Sequence, residues 1–119
     1  FTGIGGAAFG CFIYGAGANA QPSFGRIENT RHFGTTDTAL GLSHGGAMLA
    51  DCTFGLMSKT WTKGIQRFPI ELKGNCTYCI VENSLIDDCT YGLYYGSQSS
   101  DYPSYSIANN VIVKGFDTG

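Results

Sequence analysis

Apolar and polar residues alternate along this chain over short distances, and glycine, asparagine, aspartate or serine then interrupts the pattern. Cys79-Ile80-Val81-Glu82-Asn83-Ser84-Leu85-Ile86 is representative. Alternation with period two sends successive side chains to opposite faces of a strand, and the small polar residues supply turns. Read this way, the chain is predicted to form strands at about 9–14, 24–29, 38–43, 47–51, 54–58, 64–73, 78–86, 91–96 and 105–114. No stretch carries a sustained 3.6-residue apolar period, and capping patterns are missing, so little or no α-helix is expected.

The pattern also returns on itself. Cys52-Thr53-Phe54-Gly55-Leu56-Met57 comes back as Cys89-Thr90-Tyr91-Gly92-Leu93-Tyr94, 37 residues on. A second spacing aligns Cys79-Ile80-Val81-Glu82-Asn83 with Ser106-Ile107-Ala108-Asn109-Asn110 at 27. Ile27-Glu28-Asn29-Thr30 matches Val81-Glu82-Asn83-Ser84 at 54, twice that value. Recurrence at a fixed period is the mark of stacked units. The expected fold is therefore all-β: a parallel β-helix, or solenoid, with 27-residue coils, one of them enlarged to 37, and with 1–119 forming a single segment. The polar run 95–104 is expected to be a loop pushed outward from a corner. Asn83, Asp87, Asp88, Asn109 and Asn110 fall where strands are interrupted, and asparagine and glycine tolerate the positive φ that sharp corners need. An antiparallel β-sandwich is the alternative, but neither Asn-Gly nor Asp-Gly, the usual two-residue hairpin turns, occurs.

Composition narrows the range of functions. Charged residues make up 13% of the chain, about half the usual share, and the net charge is −2 with the basic residues scattered singly. Nothing here would neutralise a row of phosphates, so no nucleic-acid partner is expected. No apolar span reaches transmembrane length, so no membrane insertion is expected either. Eight Phe and seven Tyr need burial or a partner, which argues against disorder. The five cysteines are an odd number, and Cys76-x-x-Cys79 has no second pair and no histidine at a metal-ligand spacing. They read as small buried hydrophobes, and no cofactor or metal is expected. A chain opening on Phe1 is expected to be a processed product or part of something longer.

The stretch 75–115, with CIVENSLIDDCTYGLYYG and SIANNVIVKG, resembles the right-handed parallel β-helices of pectate-lyase-like proteins, and among these the stalks of bacteriophage tailspikes and tail fibres. That resemblance implies an extracellular virion tail component, a homotrimer associated with other tail proteins, that attaches to host-cell surface polysaccharide. It leaves open a polysaccharide depolymerase, acting as glycoside hydrolase or lyase, and a purely structural trimeric stalk.

Carbohydrate also suits the side chains, because sugars offer apolar ring faces and many hydroxyls. Tyr91, Tyr94, Tyr95, Tyr102 and Tyr105, with Gln98 and Trp61, are the candidate ligand-binding residues. The tyrosines could equally fill a core or a subunit interface. Hydrolysis would need two facing carboxyls. Glu82 and Asp101 are the candidates, with Glu71, Asp87 and Asp88 also considered; Glu82 is expected to approach Asp51 or Glu28 of another coil. His32 and His44 are read as surface or core groups.

Overall fold

The computed structural model describes residues 8–14, 24–34, 44–65, 67–96 and 101–115. These form ten strands: β1 (Ala8–Tyr14), β2 (Arg26–Glu28), β3 (Arg31–Phe33), β4 (His44–Ala50), β5 (Leu56–Ser58), β6 (Trp61–Lys63), β7 (Ile70–Lys73), β8 (Ile80–Asp87), β9 (Leu93–Gly96) and β10 (Ile107–Lys114). Among the described residues no helix occurs, so the protein is all-β. Every strand pair is parallel. The antiparallel sandwich that the strand count also allows is therefore not what these strands form.

There are two sheets. One has the order β1-β4-β7-β9, and the other β2-β5-β8-β6-β3, with β10 added along β8. β8 joins the two halves of the larger sheet, pairing with β5 through Ile80–Glu82 and with β6 through Leu85–Asp87. Each pass of the chain lays its strands beside those of the pass before. Arg26 pairs with Leu56, Leu56 with Ile80, and Ile80 with Ile107. Side chains that meet across passes are accordingly 30, 24 or 27 residues apart in sequence.

This register corrects the repeat as read from sequence. The 27-residue alignment of 79–83 with 106–110 holds, since Ile80, Val81 and Glu82 pair with Ile107, Ala108 and Asn109. Ile27 and Val81 do share a column, but with Met57 between them, so that their separation is one long step and one short one. The Cys-Thr-aromatic-Gly-Leu phrase is not a structural repeat. Leu56 lies in β5 of the larger sheet, whereas Leu93 lies in β9 beside Ile70 of the smaller one. Its partner in space is Cys76-Thr77-Tyr78, through the bridge between Thr53 and Thr77.

Strand boundaries shift for similar reasons. The predicted strand 64–73 is a turn at Gly64 followed by β7, and the three-residue strands β3 and β6 are too short and polar to alternate visibly. The predicted strand 38–43 lies outside the described residues. The loop assigned to 95–104 is shorter, because Tyr95 and Gly96 complete β9 and Ser104 bridges Thr77.

The bends between strands are made by single residues at positive φ. One bend recurs as Phe24, Phe54, Tyr78 and Tyr105 and a second as Asn29, Lys59, Asn83 and Asn110, all with φ between 49° and 60°. Asp88 at 50° and Gly115 at 61° form a third, following Gly64 at 66°. Left-handed geometry turns the chain within one residue, at a cost of about 1 kcal/mol for a side chain other than glycine or asparagine. Because the bends are in register, the ladder survives them. Phe54 N–H donates to Thr77 O at 2.9 Å, and Asn29 N–H to Ser58 O at 3.1 Å.

Between the sheets, equivalent side chains stack in columns. Ile27, Met57 and Val81 form one, Leu49 and Leu72 another, all buried. Cys52, Cys76, Cys79 and Cys89 are free thiols within this core. Their S–H groups bond backbone carbonyls, as from Cys76 to Leu49 O at 3.3 Å and from Cys79 to Cys52 O at 3.4 Å. Gly46 sits where β4 meets the segment before β7, and a Cβ there would overlap the carbonyl oxygen of Pro69. Gly46→Ala is expected to lower stability by about 3 kcal/mol or more in urea unfolding, because the obstacle is backbone that cannot rotate away.

His32 lies in the core beside Thr62, 1% exposed, with Nε2 bonded to Thr30 Oγ1 at 3.0 Å. Burial lowers its pKa to about 4 from the ordinary 6.5. Between those values the unfolded chain takes up a proton that the folded one refuses. Stability is thus complete above the unfolded pKa and falls as pH drops toward the folded one, by at most about 3 kcal/mol. Burial raises the Glu71 pKa, which works in the opposite sense on acidification. The His32 contribution is isolated by comparison with His32→Gln, where the fall between pH 6.5 and 4 is expected to lessen by up to one proton's slope.

Candidate functional site

The bend at Asn29, Lys59, Asn83 and Asn110 creates a groove on the outer surface of the larger sheet. Its near wall is that column, where Asn110 Nδ2 donates to Asn83 Oδ1 at 2.9 Å. Its far wall is the column Arg31, Trp61, Leu85 and Ile112, aligned by the pairing of β3 with β6, β6 with β8 and β8 with β10. Thr30, Thr60 and Ser84 lie between the walls and are tied together along the stack. Thr30 and Thr60 hydroxyls are 3.3 Å apart, and Thr60 N–H donates to Ser84 Oγ at 3.2 Å. The groove encloses about 470 Å³.

Among the described residues, the charged ones lining it are Lys59 and Arg31, both cationic. The carboxylates on the adjoining column are engaged elsewhere. Glu28 is paired with Arg26 at 3.0 Å, and that hydrogen bond holds it below the usual carboxylate range. Glu82 accepts from Ser58 Oγ at 3.2 Å. Trp61 is half-buried, with the Arg31 guanidinium 5.6 Å from its ring centre and Phe33 edge-on at 5.1 Å. Those neighbours occupy ring surface that a sugar platform would need, so Trp61 serves the groove as wall. Its buried Nε1–H has no partner among the described residues.

The structure distributes the remaining sequence candidates over several places. Tyr91 and Tyr94 flank Phe68, with Tyr94 stacked on it at 3.7 Å and Tyr91 tilted at 5.2 Å. Tyr95 follows Leu72 in an inner column and is 42% exposed, whereas Tyr102 lies out in solvent. Gln98 is outside the described residues. Glu82 is on β8 and Asp101 in the segment before Ser104, and among the described residues no hydrogen bond or ion pair joins them. Glu82 shares a column with Glu28, as expected, but Ser58 stands between them; Asp51 instead accepts from Asn75 N–H at another bend. Among the described residues no cluster of His, Cys, Asp or Glu could hold a metal ion.

Tyr105 belongs to a feature that sequence reading missed. Phe24, Phe54, Tyr78 and Tyr105 stack face to face at 5.6, 5.3 and 5.3 Å, forming an exposed aromatic row along the first bend. Asn29, Lys59, Asn83 and Asn110 were missed as a group for the same reason. Steps of 30, 24 and 27 residues bring each set together, and no single period finds them.

No protein-family model, curated protein or solved structure matches the chain. The groove's chemistry is that of a binding surface: amides and hydroxyls for hydrogen bonding, two cations, and apolar patches at Leu85 and Ile112.

The aromatic row yields a stability test. Tyr78→Ala removes the ring's two stacking contacts, with Phe54 and Tyr105, and keeps a side chain at positive φ, so a loss of about 2 kcal/mol is expected in urea unfolding. Tyr78→Gly is expected to cost about 1 kcal/mol less, the reverse of the usual order in a strand, because glycine relieves the left-handed strain.

Proposed function

We propose that this chain is a segment of a right-handed parallel β-helix from a viral tail spike or fibre, attaching to host-cell surface polysaccharide through the groove at the Asn29–Asn110 bend. The fold reading is supported by the connectivity. Parallel neighbours cannot be joined by hairpins, and with no crossover helix among the described strands the chain reaches each neighbour by passing through the other sheet. Homotrimer assembly, other tail proteins as partners and an extracellular place on the virion belong to the same proposal.

The observation that carries the functional reading is the groove itself. It runs across four successive passes, which are spaced at about 4.8 Å, close to the advance of one pyranose along a polysaccharide. It offers an exposed amide at three of the four steps, Asn29, Asn83 and Asn110, and the Lys59 ammonium at the other, so an extended glycan can repeat its contacts as the protein repeats its columns. Attachment is preferred to cleavage because, among the described residues, no carboxylate lines this groove.

A purely structural stalk is favoured by a different observation, the row Phe24–Phe54–Tyr78–Tyr105. Its rings are exposed yet stack on one another, so their faces are already covered, which suits a neighbouring subunit better than a sugar. Screening the chain against immobilised bacterial surface polysaccharides distinguishes the two. Attachment predicts binding to at least one, weakened about tenfold by Trp61→Ala with far-UV circular dichroism unchanged. Absence of binding across the panel, or binding that is lost on Phe54→Ala and not on Trp61→Ala, would overturn the groove reading.

A further inference from the structure

The amide column along the groove is broken in the middle, and the break has a chemical consequence. Asn83 Oδ1 accepts from Asn110, and the Asn83 NH₂ group has no hydrogen-bond partner among the described residues. An asparagine at the next position of the column would accept that donor and continue the ladder. The position is instead Lys59, whose ammonium can only donate. Two donors therefore occupy adjacent positions of the column, and the Lys59 ammonium makes no hydrogen bond or ion pair among the described residues. Glu28 feels the Lys59 charge, but its hydrogen bonds are with Arg26, at 3.0 and 3.1 Å.

Lysine is also the wrong residue for the backbone. It sits at φ 53°, where an unbranched cationic side chain gains nothing locally and asparagine is better tolerated. The fold thus gives up both an amide contact and backbone ease at one step of a column that otherwise reads Asn29, Asn83 and Asn110. Stability forgone at one surface position is the expected signature of a binding group.

We infer that Lys59 and the Asn83 amide form a site for a single anionic substituent, a carboxylate or sulfate, so that the polysaccharide taken by the groove is an acidic one. This rests on the attachment reading above and specifies its substrate class. The anion accepts from Lys59 Nζ and Asn83 Nδ2, filling the gap in the ladder, while the neutral part of the sugar chain lies along the far wall.

The test uses the whole chain and defined probes: an oligoglucuronate, the same oligomer with its carboxyls methyl-esterified, dextran sulfate and plain dextran. Calorimetric titration at low salt is expected to show binding to oligoglucuronate or dextran sulfate, whichever charge the site prefers, with affinity falling as salt rises. The uncharged counterpart is expected to bind at least about tenfold more weakly. Lys59→Asn is expected to abolish that preference while leaving the urea midpoint unchanged or higher, which separates a lost site from a lost fold. Unchanged binding in Lys59→Asn, equal binding of the charged and uncharged oligomers, or no binding of either charged probe would overturn the proposal. Groove-dependent binding of a neutral surface polysaccharide would sink the acidic preference and leave attachment standing. Lys59-dependent binding of the charged probes with no surface polysaccharide bound would do the reverse.

Discussion

The structure depends on bends of one residue each, repeated in register. A parallel strand needs its neighbour at the same height along the whole pass, and a loop between strands would ordinarily lose that alignment. Ten described residues other than glycine take positive φ to turn the chain, and the N–H groups of Phe24, Asn29, Asp51, Phe54, Lys59, Tyr78 and Asp88 still meet the adjacent pass, as Lys59 does with Glu82 O at 3.3 Å. Each turn costs backbone energy. What offsets it is contact between equivalent residues: ring on ring at Phe54 and Tyr78, amide on amide at Asn83 and Asn110. A bend that left register would lose both the ladder and its column.

The same constraint places the groove. Asn83 bends β8 without ending its pairing, so Asn83 and Leu85 fall on the two walls of the groove. Residues on either side of the bend then face a common trough on every pass, and whatever chemistry occurs at one step recurs at the next. Substitutions within a column change one step and leave the others intact. This is how Lys59 stands among asparagines without disturbing the stack.

Much of this architecture was legible in the chain, and the failures have physical causes. Alternation located β8 and β10 because each runs for eight residues past a single bend. The match of 79–83 to 106–110 was visible because both passes use the same residue types at the same bend. The misleading 37-residue phrase arose because a thiol or small residue, a threonine, an aromatic and a glycine serve before strands in both sheets, so chemical likeness there does not imply equivalent position. Trp61, singled out for its polar neighbours, lines the groove, yet its ring surface is engaged by Arg31 and Phe33, contacts that depend on pairing between strands. The aromatic row was invisible for a similar reason. Its members are isolated in sequence and meet only once unequal steps are known.

Register in solution is the claim on which the rest stands. A nuclear Overhauser experiment on labelled protein reads it directly from backbone protons around Val81. The structure predicts parallel-strand contacts from the Val81 segment to Met57 on one side and Ala108 on the other, both within one molecule. Close Hα–Hα contacts between strands consecutive in sequence, the pattern of antiparallel hairpins, would contradict it.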